Sequence, residues 1–163
     1  MNILKFPDEK LRVKSKPIEK IDAELTDFIK NLKNFMYENK GCVGIAAPQV
    51  AMHKRIIIVD ASFHKKTTEC NGLLIMLNPQ IIEFSGESIN REGCLSVPDF
   101  TGNVKRSFFI KAKFTDINGE EKIIQTSGFE AVVIQHEIDH LDGILFIDRI
   151  TNLKRDLFKR KNY

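Results

Sequence analysis

One stretch near the C-terminal end limits what this chain can fold into: Ser127-Gly128-Phe129-Glu130-Ala131-Val132-Val133-Ile134-Gln135-His136-Glu137-Ile138-Asp139-His140. Ser127 and Glu130 have the S-x-x-E spacing of a capping box, in which each side chain satisfies a free N–H at the start of a helix. Gly143 supplies a stop just past the run. The apolar residues between these signals fall on more than one helix face, which predicts a buried helix rather than a surface one. A buried helix needs other elements packed around it.

His136 and His140 are four residues apart, so they lie one above the other on the same helix face and can both aim a ring nitrogen at one point. Glu137 follows the first of them. In an H-E-x-x-H unit the two imidazoles hold a metal ion, and the glutamate beside them serves as a base toward water at that ion. The bland alternative is a pair of core histidines that share a face.

The remainder of the 163 residues fits one catalytic domain over 1–163, with no internal repeat or linker. The apolar positions Leu25, Phe28, Ile29, Leu32, Phe35 and Met36 recur at helical spacing, so a packing helix should start at Asp22 or Thr26 and end near Asn39 or Gly41. Cys42 to Gln49 is a loop of small residues in which Gly44 permits a tight turn or close approach by a ligand. Ile56 to Asp60 reads as a strand. Residues 61–72 read as a loop in which His64 and Cys70 have no partner spacing, and His53 reads as a surface histidine. Leu73 to Leu77 and Ile81 to Phe84 read as two strands parted by Asn78-Pro79, and Glu92 to Pro98 as a break in the β pattern. Val104 to Thr115 and Glu121 to Thr126 form a hairpin around Asn118-Gly119. From about 148 to 163 the chain reads as a basic C-terminal helix.

No apolar run approaches the ~20 residues needed to cross a bilayer, and the N-terminus lacks the pattern of a signal peptide. Three cysteines cannot all pair within one chain, which points to reduced thiols and a cytoplasmic setting. The net charge of +3 is too mild to announce DNA or other nucleic-acid binding. Lys154, Arg155, Lys159, Arg160 and Lys161 nevertheless crowd the last ten residues, where like charge can serve as an interaction tail.

A catalytic metal commonly takes three protein ligands and keeps one position open. After His140 the chain holds no further histidine or glutamate, only Asp142, Asp148 and Asp156. Cys94 is the stronger candidate, since a thiolate binds borderline and soft divalent metals tightly and Gly93 beside it allows a close approach. Cys42 and Cys70 remain rivals on chemistry alone.

Three blocks in order resemble the bacterial peptide deformylases. Gly44 to Gln49 is similar to the end of that family's G-x-G-x-A-A-x-Q, Glu92 to Ser96 matches E-G-C-L-S, and Gln135 to His140 matches Q-H-E-x-x-H. Cys42 falls where the family carries its first glycine. If that position needs positive φ, the loop must be shifted or strained.

The resemblance implies an α+β fold, with antiparallel or mixed strands wrapped around a central helix that carries the metal motif. It also implies hydrolysis of the N-formyl group from N-formylmethionyl nascent peptides, with release of formate. Cys94, His136 and His140 would hold Fe(II), with zinc, nickel or cobalt able to replace it. Glu137 would move the proton, while the Gln49 amide and the Leu95 N–H would donate to the oxyanion. Gly44 and Ile45 would pair with the peptide backbone, and Val132 and Val133 are candidates for the methionine pocket. Beside what the resemblance implies, the sequence makes Glu92 and Arg106 a candidate pair to hold the ligand loop and the basic C-terminal segment a candidate ribosome contact. The alternatives are a zinc endopeptidase, which shares the helix and base, and a non-catalytic metal-stabilised module that binds RNA or the ribosome.

Overall fold

The computed structural model describes residues 1–161. Its elements are α1 (Ala23–Glu38), β1 (Gly44–Ala46), β2 (Ile56–Asp60), β3 (Leu73–Ser85), β4 (Ser88–Cys94), β5 (Val97–Arg106), β6 (Phe109–Thr115), β7 (Glu121–Ser127), α2 (Phe129–Leu141), α3 (Leu153–Asp156) and β8 (Leu157–Lys159). The strands form two antiparallel sheets, one in the order β1-β2-β3-β6-β7 and one in the order β4-β5-β8. The architecture is α+β.

Alternation along β2 shows how the larger sheet is covered. Successive strand side chains point to opposite faces, so Ile57 and Val59 join Ala131, Val133, Ile134 and Leu141 of α2 on one side. Ile56 and Ile58 join Ile29, Leu32 and Met36 of α1 on the other. Helix α1 starts at Asp22, whose carboxylate accepts from Leu25 N–H at 2.8 Å, and its predicted apolar stripe is the face that packs. The smaller sheet has a separate core of Leu11, Cys94, Val97, Val104, Leu145, Phe146 and Ile150. Cys94 and the two histidines therefore reside on different layers.

Several boundaries differ from the sequence expectations. The capping box at Ser127 does not form: Ser127 ends β7 and pairs with Phe109, and Gly128 is the N-cap with φ of 68°. Glu130 instead accepts from the backbone N–H and side-chain amide of Asn71, at 2.8 and 2.5 Å. Asn78-Pro79 does not separate two strands but forms an irregularity inside β3. Asn78 sits there at φ 50° and clamps Ile18, accepting from its N–H at 2.7 Å and donating to its carbonyl at 2.9 Å. Glu92 to Pro98 interrupts the pairing only locally: the register shifts between Glu92 and Cys94, and Cys94 then pairs with Val97 across a two-residue turn.

The expected strand from Val104 to Thr115 is two strands in different sheets. Gln135 of α2 pins the crossing, accepting from Ser107 N–H at 3.0 Å and donating to Ser107 C=O at 2.9 Å. The basic C-terminal helix is absent among the described residues. The chain makes the four-residue α3 and then adds β8 to the edge of β5, since Leu157 and Phe158 have apolar surface to cover there. The last two residues of that expected helix lie outside the described ones. Among the described residues no helix is long and apolar enough to cross a membrane.

Candidate metal centre and cleft

Cys94, His136 and His140 each offer a ligand atom within 4.8 Å of the others, and all three are buried. Cys94 Sγ lies 3.4 Å from His140 Nε2. Helix α2 supplies both imidazoles. The hairpin between β4 and β5 supplies the thiol, with Gly93 placed where the strand register shifts. Asp142 and Asp148 are elsewhere: Asp142 pairs with Arg55 at 3.0 Å, and Asp148 is taken by Arg12 and by Leu145 N–H.

The surroundings orient these donors. His136 Nδ1–H donates to Glu92 Oε1 at 2.8 Å, which leaves Nε2 bare for an ion. Arg106 holds the same carboxylate with a bidentate fork, Nε to Oε2 at 2.8 Å and Nη2 to Oε1 at 2.9 Å. Its remaining arm donates to Asp139 at 2.6 Å, and Arg149 also donates to Asp139, at 2.5 and 2.7 Å. Glu92 and Arg106 are thus an ion pair with both partners buried. Asp139 and Arg149 extend it, and that extension was not read from sequence although Asp139 lies inside the H-E-x-x-H unit.

Electrostatics suit a cation. Burial pushes the Glu137 carboxyl up to about 7, and its Oε1 is a buried oxygen without a hydrogen-bond partner. A buried orphan acceptor is costly unless something positive or protic meets it. Burial also holds His140 well below the usual imidazole range, aided by the positive charges of His136 and Arg106, and the neutral ring is the form that ligates. At His136 burial acts in the same direction but is outweighed by Glu137, Cys94 and Glu92, which raise it well above the usual imidazole range. A thiolate and two imidazoles fit a borderline divalent ion.

The centre opens into a cleft of about 340 Å³ between two sheet edges. Val43 and Gly44 wall it from the β1 side, Asn90 to Cys94 from β4, and Val132, Val133, His136 and Glu137 from α2. Gly44 is required by close approach: a Cβ there would stand 2.7 Å from Glu137 Oε2 and 2.8 Å from Val133 Cγ1. Leu95 lines the cleft from the β4–β5 turn.

Gln49 is 2% exposed and its orientation is fixed. Oε1 accepts from Ala46 N–H at 3.0 Å, and Nε2 donates to Ser96 Oγ at 3.0 Å and lies 3.5 Å from Cys94 Sγ. Ser96, fully buried, was not singled out from sequence.

Ile45 corrects an expectation. Asp60 N–H donates to Val43 C=O at 2.8 Å, and the Gly44↔Val59 and Ile45↔Ile58 register then turns the Gly44 backbone groups outward and those of Ile45 toward β2. Ile45 is fully buried in the α1 layer and is not part of the cleft wall.

Cys42 does line the cleft, and it needs no unusual backbone. Gly41, at φ 82°, takes the left-handed conformation in its place. Burial pushes the Cys42 thiol up to about 12, and Sγ donates to Gly44 C=O at 3.2 Å. His64, read as an isolated loop histidine, stacks on Phe129 at 4.2 Å and reaches the cleft mouth. Nothing in its spacing could have shown that.

The family profile described as Polypeptide deformylase matches residues 1–156. A peptide deformylase from Thermodesulfovibrio yellowstonii is 44% identical over 161 residues, which is 99% of this chain and 95% of that one. The crystal structure of a peptide deformylase from Legionella pneumophila superimposes with a TM-score of 0.85 at 38% identity, covering 94% of this chain and 88% of that one. The Met-Ala-Ser-bound class I type b peptide deformylase from Acinetobacter baumannii matches with a TM-score of 0.84 at 36% identity, covering 92% and 98%. Whole-chain similarity in sequence and fold, around a Cys-His-His donor set, makes this chain a member of the polypeptide deformylase family, metal-dependent hydrolases that remove the N-formyl group from nascent peptides.

Proposed function

We propose that Cys94, His136 and His140 hold one divalent ion, Fe(II) in the cell and replaceable by zinc, nickel or cobalt, and that Glu137 carries the proton of the reaction. The single observation behind this is the convergence of the three donors beside a buried, unpartnered Glu137 Oε1. When bound, the ion supplies Lewis acidity that polarises the formyl oxygen and acidifies water. Glu137 takes a proton from water as the water oxygen bonds to the formyl carbon, then delivers that proton to the leaving amine, so the formyl C–N bond breaks to give formate and a free amino terminus. Gln49 Nε2–H and Leu95 N–H donate to the oxygen on which negative charge develops. Because Gln49 Oε1 is already held by Ala46 N–H, its donor needs no reorientation during the reaction.

The substrate backbone lies along the outward groups of Gly44, and Val132 and Val133 wall the methionine pocket. The Met-Ala-Ser peptide held by the Acinetobacter relative is the kind of product such a cleft accommodates. The chain works as a single catalytic domain in the cytoplasm, where nascent chains emerge. Lys154, Arg155, Lys159 and Lys161, all exposed, form its candidate ribosome contact.

Membership in the family disfavours the endopeptidase and the non-catalytic RNA-binding module. Formate release from formyl-Met-Ala-Ser, measured with metal content, tests the reading. Wild type should turn over with about one ion per chain, and Cys94→Ala should lose both metal and activity. A Cys94→Ala protein that kept a full complement of metal would overturn the ligand assignment.

A further inference from the structure

The outer part of the cleft carries charge that the deformylation chemistry does not use. Its wall includes the cations Lys40, Lys66, Arg91 and Arg160, while its two carboxylates, Glu92 and Glu137, are buried at the floor. Glu92 is already engaged by Arg106 and His136. Arg91 is engaged too, donating from Nε to Thr101 Oγ1 at 3.0 Å with its guanidinium 3.6 Å from the Phe158 ring centroid. Lys66 rests over the Phe129 ring at 5.9 Å.

Arg160 differs. It follows β8, and its backbone N–H is fixed on Asp99 C=O at 2.8 Å. Its side chain then crosses the edge of β4, where Nη2 stands 2.6 Å from the position a Cβ of Gly93 would take. Gly93 adjoins the thiol of Cys94, so the guanidinium overhangs the cleft within one residue of the metal centre. Among the described residues Arg160 makes no ion pair. An arginine fork matches a carboxylate with two parallel hydrogen bonds and stays charged at every physiological pH. The pairing of β8 with β5 is what brings it there, since a tail projecting as a helix would carry this residue away from the opening.

We propose that Arg160 is a specificity residue that binds an acidic side chain of the substrate, at the second or third position of the formyl-Met peptide, counting formyl-methionine as the first. This rests on the deformylase reading above. A peptide extended along the outward backbone of Gly44 presents its side chains alternately to the two sides of the cleft. One of those two positions meets the guanidinium, and Lys40 and Lys66 on the cleft wall favour the same sign of charge.

The test uses metal-loaded full-length protein and C-terminally amidated formyl-Met peptides, so that the only substrate carboxylate is the side chain under study. Glu, Ala or Lys is placed in turn at the second and third positions, and kcat/KM is read from formate release. Wild type should prefer Glu over Ala at one of the two positions by about fivefold, the scale of one partly exposed charge pair. The effect should lie mainly in KM and fade as salt is raised. The Glu-to-Ala ratio should approach one in Arg160→Ala, fall below one in Arg160→Glu, and be kept in Arg160→Lys. A wild-type ratio near one at both positions, or a preference that survives unchanged in Arg160→Ala, overturns the assignment while leaving the deformylase reading intact. Failure of wild type to release formate from the Ala peptides overturns both.

Discussion

Replacement of Arg106 by methionine should destabilise the protein far more than a surface charge would. Arg106 is 5% exposed and spans two buried carboxylates, Glu92 at 7% and Asp139 at 7%. Asp139 keeps both hydrogen bonds from Arg149, so the damage falls on Glu92, which retains only His136 Nδ1–H. Removing one partner of a buried ion pair costs about 3–5 kcal/mol. In a domain of this size each kcal/mol moves Tm by roughly 2–4 °C, so the drop should be roughly 6–20 °C.

The effect has a defined pH dependence. Burial alone would raise the Glu92 carboxyl, but hydrogen bonds and charge from Arg106 and His136 hold it at about 2 against an ordinary 4.5. A depressed carboxylate contributes stability that is present above its unfolded pKa and lost as pH falls through the folded one. The gap between wild type and Arg106→Met should therefore be full at pH 7 and shrink between about pH 4.5 and 2. Urea denaturation followed by circular dichroism measures it, and the double variant Glu92→Gln/Arg106→Met should recover much of the loss. Metal affinity should also fall about 10–100-fold, because Glu92 orients His136. A loss under about 1 kcal/mol at pH 7 would refute the reasoning, since that is the scale of an exposed pair.

Three further outcomes follow from the same geometry. Gly44→Ala places a methyl group 2.7 Å from Glu137 Oε2, so kcat/KM should fall about 10²-fold by displacement of the base, with the circular dichroism spectrum retained; unchanged activity would contradict the close approach. Gln49→Leu removes the side-chain donor while filling its space and should lower kcat about 10²–10³-fold with metal content kept, whereas a change confined to KM would argue against oxyanion stabilisation. The iron-loaded enzyme should lose activity in air faster than the nickel-loaded form, because a thiolate beside Fe(II) invites oxidation of both; equal decay rates would count against iron chemistry at Cys94.

Much of the site was legible in the sequence because helical spacing is a geometric rule: four residues in α2 bring His136 and His140 onto one face whatever surrounds them. Cys94 was reachable by ligand chemistry and by resemblance, but its position depends on a hairpin of the other sheet. The Arg106 crossing was not legible, since the turn from β5 to β6 is held by Gln135, a residue distant in sequence. Ile45 shows a different limit. Which backbone groups of an edge strand face outward depends on hydrogen-bond phase, and here one bond between Asp60 and Val43 sets it. The C-terminal segment reads as helical by composition, yet the free edge of β5 and the apolar pair Leu157-Phe158 drew it into a sheet. Local propensity lost there to tertiary pairing.

The central claim is that Glu137 moves the proton at a centre whose ion it does not hold. Glu137→Gln keeps the size of the side chain and leaves Cys94, His136 and His140 untouched. Single-turnover formate release from formyl-Met-Ala-Ser, with metal quantified on the same sample, is the most direct measurement. The account predicts a full complement of metal and near-total loss of formate release. A metal-loaded Glu137→Gln enzyme as fast as wild type would contradict it.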